Sequence, residues 1–223
     1  MTNTVAGNYY VSRKGKLVKE LDQVVSRLQS ELAARYGEAE ADAIREQILI
    51  EFERLLPQIP YIGGRKNPLT VFIIQSAWAL AFYRVLQQRG GTVEEAGELL
   101  QKAAGATFNA TPKFLRHLYG KIRLSKLRYP RMAAAARETQ KRKYPGNWVQ
   151  EFIAGDGKTF DFGLDYTECG IIKFMQAQNA SELVPYLCQT DYAALEAMGL
   201  HLERTETIAG GGQRCNFRIS KKL

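Results

Sequence analysis

The chain holds three cysteines, and chemistry could concentrate around them. Cys169 lies between Glu168 and Gly170, Cys188 stands three residues before Asp191, and Cys215 falls in a late alternating stretch. A thiolate is a strong nucleophile, and a helix start favours it by setting free backbone N–H groups and the positive dipole end beside the sulfur. Cys169, at the expected start of a helix, is the first candidate nucleophile, with Glu168, Asp165 or Asp191 as proton-transfer partner. Cys188 and Asp191, one turn apart, point the same way on their helix. A carboxylate on that apolar face needs a partner. Arg204, Arg214 or Arg218 on the neighbouring hairpin could supply one, as a plain structural ion pair or as part of a site. Cys215 alternates in phase with Phe217 and Ile219, so it points into the core, where a lone cysteine acts as a small hydrophobe. Three thiolates, with His201 or an acid, could in principle hold zinc. Neither Cys-x-x-Cys nor His-Glu-x-x-His spacing is present, so no metal and no cofactor is expected. His117 and His201 are isolated, and no Walker or dinucleotide fingerprint occurs, since Gly210–Gly212 belongs to a hairpin.

A second candidate is the loop Pro60-Tyr-Ile-Gly-Gly-Arg-Lys-Asn-Pro68. It reads either as a helix connector or as an anion cradle, in which the amides of Gly63 and Gly64 and the cation of Arg65 or Lys66, with Asn67 beside them, hold a substrate carboxylate.

These residues need elements to position them. Leu17, Leu21, Val24, Val25, Leu28 and Leu32 mark one helix over 16–36, and Ala43, Ile44, Ile48, Phe52 and Leu55 mark a second over 38–56. Residues 69–88 are apolar nearly all round, as a central core helix would be. Thr92 caps a short helix to Ala104. Thr111-Pro112 opens a basic one that Tyr129-Pro130 breaks. Beyond a turn at Tyr144–Asn147 the pattern changes. Residues 148–154 and 159–167 read as strands around Gly155-Asp156-Gly157, with Phe160, Phe162, Leu164 and Tyr166 alternating against Asp161, Gly163, Asp165 and Thr167. Helices over 170–178 and 182–198 follow, the second capped by Ser181, and then a hairpin over 200–208 and 213–220. The class is therefore α+β, a helical part over 1–145 packed on an antiparallel sheet-bearing part over 146–223, the two forming one compact unit.

The net charge of +8 is not spread evenly: residues 113–143 carry eleven Lys and Arg against one acid, Glu138, a local +10 that leaves −2 for the rest. The basic character thus describes a patch, read either as a solvated helix face or as a surface for nucleic acid or an acidic partner. The longest apolar run, Val71 to Tyr83, falls short of the ~20 residues that cross a bilayer. The N-terminus shows no apolar signal core and the cysteines form no disulfide framework, so a cytoplasmic protein without a membrane partner is expected. Nothing in the residues sets an oligomeric state.

Taken in order, Phe160-Asp-Phe-Gly-Leu-Asp-Tyr-Thr-Glu-Cys-Gly170, Leu183-Val-Pro-Tyr-Leu-Cys-Gln-Thr-Asp191, Arg204-Thr-Glu-Thr-Ile-Ala-Gly-Gly211 and Cys215-Asn-Phe-Arg218 resemble the L-2-amino-thiazoline-4-carboxylic acid hydrolase family. Pro60–Asn67 is similar more weakly, and Asn216 departs from the pattern where an acid would follow the cysteine. The resemblance implies ring-opening hydrolysis of a cyclic isothiourea-type C–N bond to a carbamoyl derivative of cysteine. A thiolate would attack the amidine carbon, an acid would protonate the departing nitrogen, and Arg65 or a hairpin arginine (Arg204 or Arg218) would clamp the carboxylate of a small-molecule substrate. The alternatives are a non-catalytic ligand sensor similar to the 4-vinyl reductase type of domain, and a binder of nucleic acid or an acidic partner through residues 113–143.

Overall fold

The computed structural model describes residues 9–222, so part of the N-terminal stretch read for a signal core lies outside the described residues. The first apolar stripe folds as two helices, α1 (Lys14–Val25) and α2 (Gln29–Tyr36), joined by a 3-10 turn over Ser26–Leu28. The Ser26 hydroxyl donates to the Gln23 carbonyl at 3.0 Å, a local bond that competes with the regular ladder. Leu17, Leu21, Val25, Leu28 and Leu32 are all buried, so the stripe survives the break. Gly37, at φ 85°, turns the chain into α3 (Glu38–Leu55).

The central helix α4 (Thr70–Gln87) packs on α3 and on α5 (Val93–Asn109). Thr92 caps α5 by accepting the Glu95 N–H at 3.2 Å. The helix runs on past Ala104 because nothing before Thr111-Pro112 stops it. The basic segment forms α6 (Lys113–Leu124), and its break comes at Ser125, earlier than Tyr129-Pro130. After a 3-10 turn over Lys126–Arg128, Pro130 lies in the first turn of α7 (Tyr129–Gln140), where its missing N–H costs nothing. The expected breaker therefore starts a helix.

The C-terminal part contributes β1 (Val149–Ala154), β2 (Phe162–Glu168), α8 (Gly170–Ala177), α9 (Val184–Ala197), β3 (Leu200–Glu203) and β4 (Cys215–Lys221). Ser181 does not cap α9; it opens a 3-10 turn, and Pro185 occupies the first turn of the helix. The four strands form one antiparallel sheet in the order β1-β2-β4-β3, and the class is α+β as expected. β2 starts at Phe162, later than expected, because residues 155–161 form a closed loop. Its Asp156 carboxylate accepts the N–H groups of Lys158 and Thr159, each at 2.8 Å. Gly155 is required there, since a Cβ would lie 2.1 Å from the Phe160 carbonyl oxygen.

The register sets Tyr166 opposite Cys215, Leu164 opposite Phe217 and Phe162 opposite Ile219, all on the inner face. The outer face pairs Gly163 with Arg218 and Asp165 with Asn216. α9 runs along β3 and α7 along β1, roofing the inner face from two sides. A single apolar core joins the N-terminal helices to Trp148, Phe174, Met175 and Leu183, so it crosses residue 145. A smaller cluster under α7 and α9 gathers Phe162, Leu195, Leu202 and Ile219. No helix among the described residues is long and apolar enough to cross a membrane.

Candidate functional site

Cys169 follows the last residue of β2 and is the residue before α8. Gly170 lets that helix start against the chain, because a Cβ there would meet the Gly146 carbonyl oxygen at 2.7 Å and the Trp148 ring at 2.7 Å. The Cys169 sulfur therefore has the indole of Trp148 and the backbone N–H groups of Ile171 and Ile172 beside it. Burial outweighs these donors, and the thiol is pushed up to about 11. This corrects the expectation of a lowered thiol pKa. The helix start acts in the predicted direction, but desolvation of the thiolate is the larger effect.

Cys188 and Asp191 share the inner face of α9, as their spacing predicted. Of the three arginines considered as partners, Arg204, just beyond β3, takes the role: Nη1 donates to Asp191 Oδ2 at 2.9 Å and Nη2 to the Cys188 carbonyl at 2.8 Å. Its side chain is 3% exposed and lies between the rings of Tyr192 and Phe217, with centroids at 4.9 and 4.8 Å. Its Nε is buried without a partner. Asp191 keeps 38% of its side chain open, yet burial raises its pKa against the pull of Arg204, while the guanidinium stays charged. Burial likewise pushes Cys188 up to about 12, with Arg204 pulling the other way. Cys215 is buried and raised as well, although the Ile208 N–H donates to its sulfur at 3.3 Å.

Cys169 feels the charge of Cys215, and Cys188 feels that of both other thiols, so the sulfurs lie within electrostatic reach of one another. Tyr166 joins them, a residue the sequence reading treated only as an inward apolar side chain. Burial raises its phenol, which also feels Asp191, Cys169 and Cys215, and Arg123 from α6 works against that rise. A tyrosine at an inward strand position has a hydroxyl that needs a partner, and that was the signal available in the sequence. Leu164, Tyr166 and Phe217 lie on the inner face of the two central strands and yet are only half-buried. The roof is incomplete there.

Other candidates lie elsewhere. Asp165 is 4% exposed on the outer face, held by Arg218 Nη1 at 2.5 Å and Arg214 Nη1 at 3.2 Å. Gly163 makes room for this, as a Cβ would fall 2.9 Å from Arg218 Nη1. Asp165 and Arg218 thus pair with each other on the side away from the thiols. Glu168 is bound by Arg142 Nε at 2.8 Å and by Lys173 Nζ, and these cations hold its carboxyl below the usual range, which makes it a poor base. Asn216 donates to Thr205 and accepts the Glu206 N–H at 2.7 Å, bracing the loop between β3 and β4. The Gly63–Asn67 loop spends polar groups on bonds within the chain, among them one from Asn67 Nδ2 to Asn147 Oδ1 at 3.1 Å. Asn67 Nδ2 donates to the Ile62 carbonyl at 2.6 Å, its Oδ1 accepts the Leu69 N–H, and the Gly64 carbonyl accepts from Thr70. Gly64 is buried under the Tyr9 ring, where a Cβ would come within 2.6 Å, and Arg65 points to solvent. The connector reading accounts for all of these bonds.

Two cavities lie beside the end of α9. The larger, about 410 Å³, is lined by His117, Lys121, Met198 and Lys222 among others, and no cysteine lines either one. Among the described residues no three His, Cys, Asp or Glu side chains come together as a metal-ligand set. Alkylation of Cys169 is expected to be slow at pH 7 and to rise about tenfold per pH unit toward pH 11. Peptide mapping after iodoacetamide pulses would check this, and a rate already flat below pH 8 would contradict it.

Three thiols, a carboxyl with a raised pKa and a phenol thus gather on the inner side of a partly roofed antiparallel sheet, groups that a hydrolase-like function at the family level could draw on. The chain belongs to the L-2-amino-thiazoline-4-carboxylic acid hydrolase family, whose model matches residues 72–219. That span contains the whole thiol cluster and leaves out the Pro60–Asn67 loop. No curated protein and no solved structure matches the chain.

Proposed function

We propose that the protein opens a cyclic amidine or isothiourea bearing a carboxylate, by hydrolysis of a ring C–N bond with Cys169 as nucleophile. The observation that carries the reading is the coupled group of Cys169, Cys188, Cys215, Tyr166 and Asp191 beneath an incomplete roof. Cys169 is preferred because two backbone amides and the Trp148 indole stand beside its sulfur, ready to stabilise the thiolate. A thiol this weakly acidic needs a base. Asp191, with its raised pKa, is better matched to that task than an ordinary carboxylate.

In this scheme the sulfur bonds to the amidine carbon as its proton passes to Asp191. The ring C–N bond then breaks, its electron pair stays on nitrogen, and that nitrogen takes up a proton. Water adds to the same carbon and expels the sulfur, so the thiol is restored and the product exceeds the substrate by one water. Arg123, half-buried, close enough to act on Tyr166 and without an ion-pair partner among the described residues, is the group to meet the carboxylate.

The test is incubation with 2-aminothiazoline-4-carboxylate and a panel of cyclic amidines and amides, followed by mass spectrometry. A gain of one water that depends on active protein supports the reading; no conversion anywhere in the panel removes it. The raised pKa of all three thiols favours a second reading, a sensor that binds such a compound without turning it over. Saturable binding with no product, insensitive to Cys169→Ser, would select it.

A further inference from the structure

Helix α6 turns a stripe of large apolar side chains outward. Phe114 is 70% exposed, and Leu115, Leu118, Tyr119 and Ile122 are exposed along the same helix. At roughly 100° per residue these five fall within an arc of about 140°. Leu127, in the turn that follows, is 92% exposed. The opposite side of the helix is anchored: Gly120 is buried against the chain, where a Cβ would come 2.1 Å from the Met198 carbonyl oxygen. That close approach fixes the helix with its apolar arc turned out. Lys121 borders the arc, and Lys126, Arg128 and Arg131 follow in the turn and the next helix; none of these four has an ion-pair partner among the described residues, in a chain that forms many surface pairs elsewhere, while Lys113 and Arg116 lie on the anchored side.

We infer that α6 and the turn after it form a docking face for an anionic lipid surface, with the apolar arc set among the acyl chains and the cations on the phosphates. The charge separates this from the other occupants. A second copy meeting the same face would set one unpaired basic patch against another, which repels. Nucleic acid would use the cations, but four of the six apolar residues are Leu or Ile, which neither stack on bases nor meet phosphates. The inference departs from the expectation of no membrane partner, which rested on the lack of a spanning segment. It is independent of the reaction proposed above.

The test is flotation of the full chain with vesicles of phosphatidylcholine alone and of phosphatidylcholine mixed with phosphatidylglycerol. Binding at least tenfold tighter to the mixed vesicles is expected, together with a blue shift of fluorescence from a Phe114→Trp reporter. The triple variant Phe114→Ser/Leu118→Ser/Leu127→Ser should bind at least tenfold more weakly with an unchanged melting curve. Lys121→Glu/Lys126→Glu should weaken binding without touching the apolar arc. No binding to the mixed vesicles overturns the inference, and so does binding that the triple variant leaves intact. It also fails if the wild-type chain is a dimer in light scattering that the triple variant makes monomeric, or if duplex DNA binds more tightly than the vesicles do.

Discussion

Serine at position 169 is expected to lower turnover of whichever panel compound is hydrolysed by on the order of 10³-fold or more, with the melting temperature unchanged. The substitution is nearly isosteric, so the packing of this half-buried residue against Trp148 and Gly170 is kept. What it removes is the nucleophile, because a hydroxyl is far harder to ionise than a thiol and the amides of Ile171 and Ile172 then have no thiolate to stabilise. Cys188→Ser should cost less, since in this scheme Cys188 flanks the reacting sulfur and does not form the bond. Cys215→Ser should cost least in rate, because its sulfur is occupied by the Ile208 N–H. Steady-state rates for the three variants would rank them. Activity within tenfold of wild type for Cys169→Ser would move the nucleophile to Cys188 or end the covalent scheme.

The second large effect concerns folding. Arg204→Met keeps the length and most of the apolar bulk of the side chain but withdraws the charge that Asp191 and the Cys188 carbonyl rely on. It also removes the cation from between Tyr192 and Phe217. Breaking a buried pair from one side costs about 3–5 kcal/mol, and because Asp191 is partly open the low end, about 3 kcal/mol, is expected. In a chain of this size that corresponds to a fall of about 6–12 °C in melting temperature. Asp191→Asn combined with Arg204→Met should recover part of the loss, because the stranded carboxylate is then gone. Denaturant unfolding of the two single variants and the double would measure the coupling. A single-variant cost under about 1 kcal/mol, or strictly additive losses, would show that the pair does not hold α9 to the end of β3.

The helical stripes, the cap at Thr92, the two hairpins and the phase of Cys215 with Phe217 and Ile219 were legible because each is a periodicity along a short stretch of chain. Boundaries slipped where local chemistry competed with the period, at Ser26 with its back-bond, at Ser125 ahead of Pro130, and in the Asp156 turn. The candidate site was half legible. The spacing of Cys188 and Asp191 pointed to one helix face, and Arg204 was among their possible partners. Tyr166 and Arg123 were missed because their part depends on which strand and which helix lie next to the thiols. Asp165, Arg218 and Glu168 were counted in, although the pleat and nearby cations direct them elsewhere.

The residues in order determined which side chains share a face, because a strand alternates every second residue and a helix returns every three to four. They also determined the family, whose model matches residues 72–219. Only the tertiary structure decided the electrostatics of those positions. A helix start should make Cys169 more acidic, yet that effect is local and modest, and packing against Trp148 and the core strips the water a thiolate needs. Likewise the register of β2 against β4 sends Arg218 to Asp165, while the turn beyond β3 brings Arg204 to Asp191. Charges act across space, and distance along the chain says little about distance through the fold.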